Sequence, residues 1–479
     1  MEYRDFCSKF CEIEKKYKMF QIDFNGVRYW KYARYYIYNI LWKKLYDICV
    51  PAWFYGENQS DVGKYSHRYQ KFTDKLFHNI NIGFKKDVLM FTFPRRVQEN
   101  QRYVSPVTDE IALHLNRSAC IVETPYYGGF YRPSPIFGIK YFDVWDGVGD
   151  EKKDYIPISR GNLRKQVLNI FEKEFDIAFT AEEKKIVLTN VNYLIMYRDE
   201  LMMRYKKVIK KVSPKVVLYT MSYIGEWILL TEVLKEMKIP GVEILHGYVD
   251  DNSISYNYSE IGMNDSLPDF IFAYSQVQKD TLNWGISRSH IRVVGNPWLE
   301  ERKKKYLAER KEERLKRKIT FISSANPVIE KYLVNLADCI DKDKYEIVFK
   351  LHPEEYASWR NVYRKLPDCI NVIDNNSKDI HYYLANSDFV VGITSTALFE
   401  AAIYSVHIYI LAEESWQRMH ILLNEGRASL VHDGKELFLS IMHDRKTRIN
   451  ANDIFYAKNA ASNINNEIEK IIMERGQEC

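Results

Sequence analysis

From about residue 85 onward, short apolar runs alternate with longer stretches of polar, helix-like periodicity. Apolar runs of about four to eight residues, separated by helical segments, are typical of parallel strands in βα units. The first half of the chain holds these strand candidates: 87–93, 119–123, 215–220, 241–245 and 269–275. A second series follows after a charged stretch: 318–323, 345–351, 370–374, 387–393 and 407–411. We therefore expect an α/β protein with two Rossmann-like domains facing a central cleft.

The same alternation sets the expected domain boundaries. Residues 1–84 precede the first strand candidate and read as a helical N-terminal extension. We expect the first Rossmann-like domain over 85–297 and the second over 298–479. A long helical stretch at about 160–211 lies inside the first domain.

Length and charge restrict the class of protein. A chain of 479 residues is too long for one ordinary domain. Its net charge of +5 is mild against 69 basic and 64 acidic residues, and in the run 300–318 10 Lys/Arg face 5 Glu. Such a run is typical of a solvated helix or linker, so we expect no nucleic-acid partner.

Cysteine usage and hydropathy indicate the compartment. The seven cysteines are scattered and form no C-x-x-C pair, which favours a reducing environment and speaks against a zinc site. No secretory signal is visible at the N-terminus, and the longest charge-free run of the aromatic-rich segment, 35–42, is too short to span a bilayer. We expect a cytoplasmic protein. The aromatic-rich segment either packs on the protein body or lies at the inner face of the membrane.

Three loops of the second series fall at strand ends and therefore at one edge of the predicted sheet. They are "SSANP" (323–327), "HPEEY" (352–356) and "TSTALFEAA" (394–402). Hydroxyl side chains and free backbone N–H groups at the start of a helix suit the phosphates of a nucleotide. The predicted donor-binding residues are Ser323, Ser324, Asn326, His352, Pro353, Thr394, Ser395, Thr396 and Glu400. Considered alone, the Thr-Ser-Thr run also fits a simple helix N-cap.

His352 stands directly after an apolar strand that only Glu346 and Lys350 interrupt. Because Pro353 suits the first turn of a helix, the imidazole is placed where a strand ends and a helix begins. There it is suited to hydrogen-bond or neutralise a leaving phosphate. The alternative is a capping or core-edge histidine.

The first domain offers a second histidine at a strand end, His246, in "GVEILHGYVDDNS". Histidine titrates near neutral pH, so His246 is a candidate general base, and Asp250 or Asp251 are alternatives from the same loop. A buried structural histidine is the other interpretation. Tyr126 and Tyr127, in the aromatic loop "ETPYYGGFYRPSP", are candidates for stacking on an acceptor sugar or lipid, although a plain surface loop fits equally well.

The order "LHGY", "VVGNPW", "KLHPEEY" and "SDFVVGITSTALFEAA" resembles the GT-B transferases of bacterial surface polysaccharides. That group includes the CDP-glycerol glycerophosphotransferases, the bacterial polysialyltransferases and the capsule Kdo transferases. The resemblance covers roughly 215–411 and implies that His352, Pro353, Thr394, Ser395 and Thr396 bind a cytidine nucleotide donor. The His-Gly motif of the group, usually Trp-His-Gly, occurs here as Leu245-His246-Gly247.

The leading hypothesis is a glycosyltransferase that moves a sugar from a nucleotide-activated donor, with a CMP-sugar favoured, to a glycan or lipid-linked glycan acceptor. The second domain holds the donor and the first holds the acceptor and the base. The alternatives are a CDP-polyol phosphotransferase, a non-catalytic glycan-binding protein and a nucleotide-sugar epimerase. No P-loop or G-x-G-x-x-G pattern is present, which speaks against a P-loop NTPase or a dehydrogenase, and no H-E-x-x-H or clustered acidic metal site is visible. The resemblance to GT-B enzymes implies that no metal is needed, and we expect no further cofactor.

Overall fold

The computed structural model describes residues 1–24, 26–46, 80, 85–126, 129–148, 167–310, 314–443 and 454–476. None of the helices described there has the length and apolarity needed to cross a membrane.

The described part of the N-terminal extension is mainly helical, as predicted. Its elements are α1 Tyr3–Lys16, β1 Asp23–Phe24, β2 Val27–Arg28 and α2 Trp30–Tyr46. Helix α1 is amphipathic and buries Phe6, Phe10 and Ile13 in the same apolar cluster as α2. Inside that cluster, Glu14 and Arg34 form a buried ion pair at 2.7 Å, and the indole N–H of Trp30 also donates to Glu14. Pairing of this kind removes most of the cost of burying the two charges.

The first domain contains nine strands among the described residues. They are β3 Val88–Phe91, β4 Val97–Glu99, β5 Arg102–Val104, β6 Ala119–Glu123, β7 Lys140–Tyr141, β8 Val216–Tyr219, β9 Gly241–Ile244, β10 Phe270–Ala273 and β11 Ile291–Val293. Strands β4 and β5 form an antiparallel hairpin, and the other seven form one parallel sheet in the order β11-β10-β9-β8-β3-β6-β7. Because the order reverses between β3 and β8, a crevice opens at their carboxyl ends.

Helices cover both faces of this sheet. In chain order they are α3 Asp109–Leu113, α4 Asn169–Phe175, α5 Ala181–Met196, α6 Arg198–Val212, α7 Glu226–Glu236 and α8 Gln276–Thr281. The predicted helical stretch at 160–211 agrees with α4 to α6 over the part of it that the structure describes.

The second domain begins with α9 Pro297–Glu309 and contains a six-stranded sheet. Its strands are β12 Arg317–Ile322, β13 Tyr345–Lys350, β14 Ile370–Ile373, β15 Phe389–Gly392, β16 His407–Leu411 and β17 Ala428–Val431. They are all parallel, in the order β14-β13-β12-β15-β16-β17, which is the Rossmann order with its reversal between β12 and β15. The helices are α10 Ile329–Cys339, α11 Trp359–Val362, α12 Ile380–Ala385, α13 Ala397–Ala401, α14 His420–Asn424 and α15 Gly434–Met442.

The last helix, α16 Ala460–Gly476, returns to the first domain although the sequence places it after the second. Ile464, Ile468 and Ile471 share one helix face and pack against the first sheet, in the cluster that contains Val88 and Leu218. The expected boundary at residue 298 therefore separates the two sheets, but α16, which lies beyond that boundary in the sequence, packs on the first domain.

The predicted fold class is confirmed. Each of the ten predicted strand runs overlaps a strand, and two Rossmann-like sheets with helices on their faces follow a helical extension. Three strands of the two parallel sheets were not predicted, β7, β11 and β17, because β7 is only two residues long and the other two are partly exposed. The hairpins β1–β2 and β4–β5 were not predicted either.

Candidate functional site

A cleft of about 1780 Å³ lies between the two domains and is lined by loops from the carboxyl ends of both sheets. The predicted site residues that line it are Tyr126, His246, Ser323, His352, Pro353, Ser395, Thr396 and Glu400. Those described but outside its lining are Asp250, Asp251, Ser324, Asn326 and Thr394. Tyr127 lies outside the described residues. The structure thus brings His246 of the first domain and His352 of the second to one cleft.

His352 both caps a turn and faces the cleft. Its ring Nδ1 accepts the backbone N–H of Glu354 at 3.4 Å, while the backbone N–H of His352 donates to the Glu355 carboxylate at 2.8 Å. This reciprocal pair fixes the 3₁₀ turn Pro353–Glu355. With Nδ1 engaged, Nε2 is the ring nitrogen left for a ligand, since it has no hydrogen-bond partner among the described residues. The capping and ligand-binding interpretations are therefore compatible.

The hydroxyl loop 394–396 enters the cleft at the reversal point of the second sheet. It connects the end of β15 to α13, and Ser395 Oγ accepts the backbone N–H of Ala397 at 3.3 Å. Ser395 and Thr396 line the cleft, whereas Thr394 does not. Two hydroxyl groups are thus available to a ligand in this loop.

The loop after β12 contributes only its first residue to the cleft. Ser323 is buried there, with its Oγ 3.3 Å from the Tyr363 hydroxyl and accepting the N–H of Ala325. Asn326 uses its side-chain oxygen to accept the N–H of Val328, and Ser324 does not line the cleft. These bonds hold the loop in shape, so Asn326 has a local structural role.

Glu400 is paired with a histidine that the sequence analysis missed. His381 Nε2 lies 3.2 Å from the Glu400 carboxylate, and His381 Nδ1 lies 3.3 Å from the Tyr404 hydroxyl. Burial raises the pKa of Glu400 to about 7 and lowers that of His381 to about 4. Both residues line the cleft. A carboxyl with a raised pKa beside a neutral imidazole offers both hydrogen-bond donors and acceptors at neutral pH, which suits the pair to bind sugar hydroxyls. No sequence motif marks His381, because its partners Glu400 and Tyr404 lie about 20 residues further along the chain, in α13 and just after it.

His246 is held between aromatic rings in the first domain. Its imidazole stacks on Phe93 with centroids 5.5 Å apart, and its Nδ1 lies 3.4 Å from the Tyr256 hydroxyl. Tyr256 in turn donates to Glu243 at 2.6 Å. Burial, and to a lesser extent Arg95, lowers the pKa of His246 to about 4. The imidazole is therefore neutral at pH 7 and able to accept a proton, with less driving force than an exposed histidine.

The loop that carries His246 also carries the contact between the domains. Tyr248 stacks on Phe399 of α13, with centroids 4.2 Å apart and planes 10° from parallel. Tyr248 also packs on Phe455, and Tyr274 packs on Tyr456, in an apolar cluster shared by both domains. Because Phe399 follows Thr396 by three residues, this stack sets the position of His246 relative to the hydroxyl loop.

Asp250 and Asp251 turn away from the cleft and bind His420 instead. His420 Nε2 lies 3.0 Å from Asp251 and Nδ1 lies 3.8 Å from Asp250. Against the effect of burial, these two carboxylates raise the pKa of His420. Among the described residues this is the group of three whose ligand atoms come close enough to hold a metal ion, within 4.8 Å. The raised pKa favours protonation of His420, and Arg4, 3.5 Å from Asp251, adds positive charge there.

Aromatic and basic residues from the first domain form the opposite wall. Tyr126, Tyr103, Tyr131 and Arg95 line the cleft, and the Tyr103 and Tyr131 rings lie 5.2 Å apart. Arg96 is fixed by a buried bidentate pair with Asp109, at 2.9 and 2.7 Å, which orders the loop after β3. The role of Arg95 and Arg96 in the loop after β3 was not predicted, since Asp109, which pairs with Arg96, lies 13 residues further along the chain.

A comparison with protein-family models and one with curated proteins each find no match. Solved structures are similar at low identity. The UDP-GlcNAc 2-epimerase of Methanocaldococcus jannaschii is 15% identical, with a TM-score of 0.48 over 80% of this chain and 99% of that chain.

A second UDP-GlcNAc 2-epimerase, from Neisseria meningitidis and bound to UDP-GlcNAc, is 12% identical, with a TM-score of 0.49 over 81% of this chain and 99% of that chain. The calicheamicin glycosyltransferase CalG4 is 12% identical, with a TM-score of 0.45 over 82% of this chain and 99% of that chain. The strand order of the two parallel sheets shows the fold of this chain.

Proposed function

We propose that this protein is a glycosyltransferase that moves a sugar from a nucleotide-activated donor, with a CMP-sugar favoured, to a bacterial surface glycan. The observation that carries the proposal is the meeting of His246 with His352, Ser395 and Thr396 in one cleft between two Rossmann-like domains. A transfer reaction needs a donor site and an acceptor site that face each other.

The second domain is the donor side. Ser395 and Thr396 offer hydroxyl groups at the reversal point of its sheet, where open α/β sheets bind ligands. His352 offers Nε2 to the phosphate that leaves as the sugar is transferred. A donor placed there, next to a group that stabilises developing negative charge, has a lower barrier to bond cleavage. Glu400, which is paired with His381, binds ribose or sugar hydroxyls of the donor.

The first domain is the acceptor side. His246 accepts the proton of the attacking hydroxyl, and Tyr256 orients the ring through Nδ1. Tyr126 is among the rings available to stack on an acceptor sugar. Asp250 and Asp251 were alternatives for the base, but their pairing with His420 away from the cleft favours His246.

A release assay tests the proposal. Wild-type protein is incubated with CMP-N-acetylneuraminate, CMP-Kdo, CDP-glycerol or UDP-GlcNAc, and free nucleotide is quantified by chromatography. We expect CMP release from a CMP-sugar, and a loss of about 10²-fold in His352→Ala with the fold intact and only a small drop in melting temperature, because the variant also removes the capping bond to Glu354. His432→Ala is the matched control, because His432 is an exposed histidine of the same domain outside the lining of the cleft.

Other outcomes would replace the proposal. Turnover of CDP-glycerol alone, with phosphate found on the acceptor, would make the protein a polyol phosphotransferase. Nucleotide binding without release from any donor would identify a non-catalytic binding protein.

A further inference from the structure

Lys350 is a buried lysine whose ammonium group donates its hydrogen bonds only to uncharged oxygen atoms. It is the last residue of β13, in register with Ile322 of β12 and Ile373 of β14, and its side chain is 5% exposed. Its Nζ donates to the backbone oxygen of Asn375 at 3.0 Å, to that of Leu351 at 3.4 Å and to the hydroxyl of Tyr356. Among the described residues, no carboxylate lies within ion-pair distance of it.

The nearest acidic side chain is already engaged. Asp374 accepts the indole N–H of Trp359 at 3.0 Å and lies 3.9 Å from Arg360. Burying an ammonium group costs several kcal/mol unless an anion compensates it. Burial lowers the pKa of Lys350 to about 8, with Asp374 opposing that shift only in part. The group therefore remains largely charged at pH 7, and its charge is not neutralised by the protein.

Lys350 lies on the wall of the cleft, two residues before His352. Tyr356 and Asn376, which hydrogen-bond each other at 2.7 Å, line the same wall. A ligand in the cleft can thus reach this corner from the donor side.

We propose that Lys350 is the anchor for an anionic group of the ligand, so that the donor carries a second negative charge besides the phosphate at His352. This inference rests on the proposed function and deepens it, because it restricts the donor to two chemical classes. The anion is either a second phosphate, as in a nucleoside diphosphate donor, or the carboxylate of an acidic sugar.

The experiment measures ligand-induced shifts in melting temperature and dissociation constants for wild type, Lys350→Met and Lys350→Gln. Lys350→Met keeps the apolar stem, and Lys350→Gln keeps a donor for the Asn375 oxygen. Lys378→Gln is the control, because Lys378 is an exposed lysine of the same cleft. The probes are inorganic pyrophosphate, CMP, CDP-glycerol and CMP-N-acetylneuraminate.

We expect pyrophosphate to stabilise the wild type, and each Lys350 variant to lose at least about tenfold in affinity for it, while Lys378→Gln does not. A matching loss for CDP-glycerol but not for CMP identifies the anion as the second phosphate. A loss for CMP-N-acetylneuraminate but not for CMP identifies it as the sugar carboxylate. Without ligand, Lys350→Met should be as stable as the wild type or more so, because it no longer buries a charge.

The inference is overturned if the Lys350 variants bind every probe as the wild type does, or if neither pyrophosphate nor any of the donor probes binds the wild type. A Lys350→Met protein of reduced stability with normal ligand affinity would make this lysine a structural cap. These outcomes are distinct from failure of the proposed function. If pyrophosphate binding depends on Lys350 but no nucleotide binds, the anion site stands and the transferase proposal falls.

Discussion

His246 and His381 are held at the edge of the cleft through contacts with tyrosine hydroxyls. His246 lies against Tyr256, and His381 lies against Tyr404. Burial lowers the pKa of both to about 4, so both are neutral at physiological pH. A neutral imidazole in a fixed orientation is prepared to accept a proton, which is the role proposed for His246.

His246→Ala should lower the rate of transfer by about 10²- to 10⁴-fold and leave nucleotide affinity near the wild-type value. The reason is that the proton is removed on the first domain, whereas the donor binds on the second. Tyr256→Phe should lower the rate of transfer by a smaller factor, since it removes only the hydroxyl that orients the His246 ring. Steady-state kinetics and calorimetric titration measure the two effects separately.

The pH dependence gives a second readout for the same residue. Because protonation abolishes the base and the pKa of His246 is lowered to about 4, the contribution of His246 to kcat/KM should be lost only as the pH drops through about 4. An acidic limb near 6.5 that disappears in His246→Ala would contradict the buried environment of His246. A His246→Ala protein with wild-type turnover would return this residue to a structural role.

At the scale of elements, apolar periodicity predicted most of the sheet strands because they are buried on both faces. The same periodicity placed His352 and Ser395 correctly at strand ends. It did not predict the partner of Glu400, the pairing of Asp250 and Asp251, or the lack of an anion at Lys350. Each of these depends on residues distant in the chain, which local pattern does not bring together.

The segment that leads to α16 depends on a glycine. Gly295 has a φ of +89°, and a Cβ on it would lie 2.1 Å from the backbone oxygen of Ala457. The backbone N–H of Ala457 donates to the backbone oxygen of Tyr274 at 2.8 Å, which connects this segment to the first domain.

Gly295→Ala should therefore lower the melting temperature by several degrees, through backbone strain and displacement of the segment at Ala457. Gly262→Ala is the matched control, because Gly262 has a φ of +77° but open space around its Cα. Calorimetry of the two variants separates strain from steric overlap. Equal losses in both would show that the close approach to Ala457 contributes little.

At the scale of the whole molecule, the N-terminal extension contacts both domains. The Tyr3 hydroxyl lies 3.3 Å from the backbone oxygen of Asn252 in the first domain. From the second domain, the Arg418 guanidinium lies 5.8 Å from the centre of the Tyr3 ring and 5.0 Å from that of Trp42. His420 joins the same junction through Asp251. The extension therefore holds the two domains together beside the cleft.

His420→Ala should destabilise the protein by about 1–3 kcal/mol, since it removes this contact from the buried Asp250 and leaves Asp251 with the longer ion pair to Arg4. Adding Asp250→Asn and Asp251→Asn should recover part of the loss. In the wild type, the contribution of His420 is complete below its unfolded pKa of about 6.5 and is lost as the pH rises through its raised folded value. Thermal unfolding at several pH values measures this, and a His420→Ala protein with wild-type stability would contradict it.

The central claim is that the cleft binds a nucleotide through the hydroxyl loop of the second domain. The most direct measurement compares the melting temperature with and without millimolar CMP, CDP, UDP or GDP for three proteins. They are the wild type, the double variant Ser395→Ala/Thr396→Ala and the control Thr394→Ala. We predict that a cytidine or uridine nucleotide raises the melting temperature of the wild type and of Thr394→Ala, and that the double variant loses most of this shift. No shift with any nucleotide, or an undiminished shift in the double variant, would contradict the account.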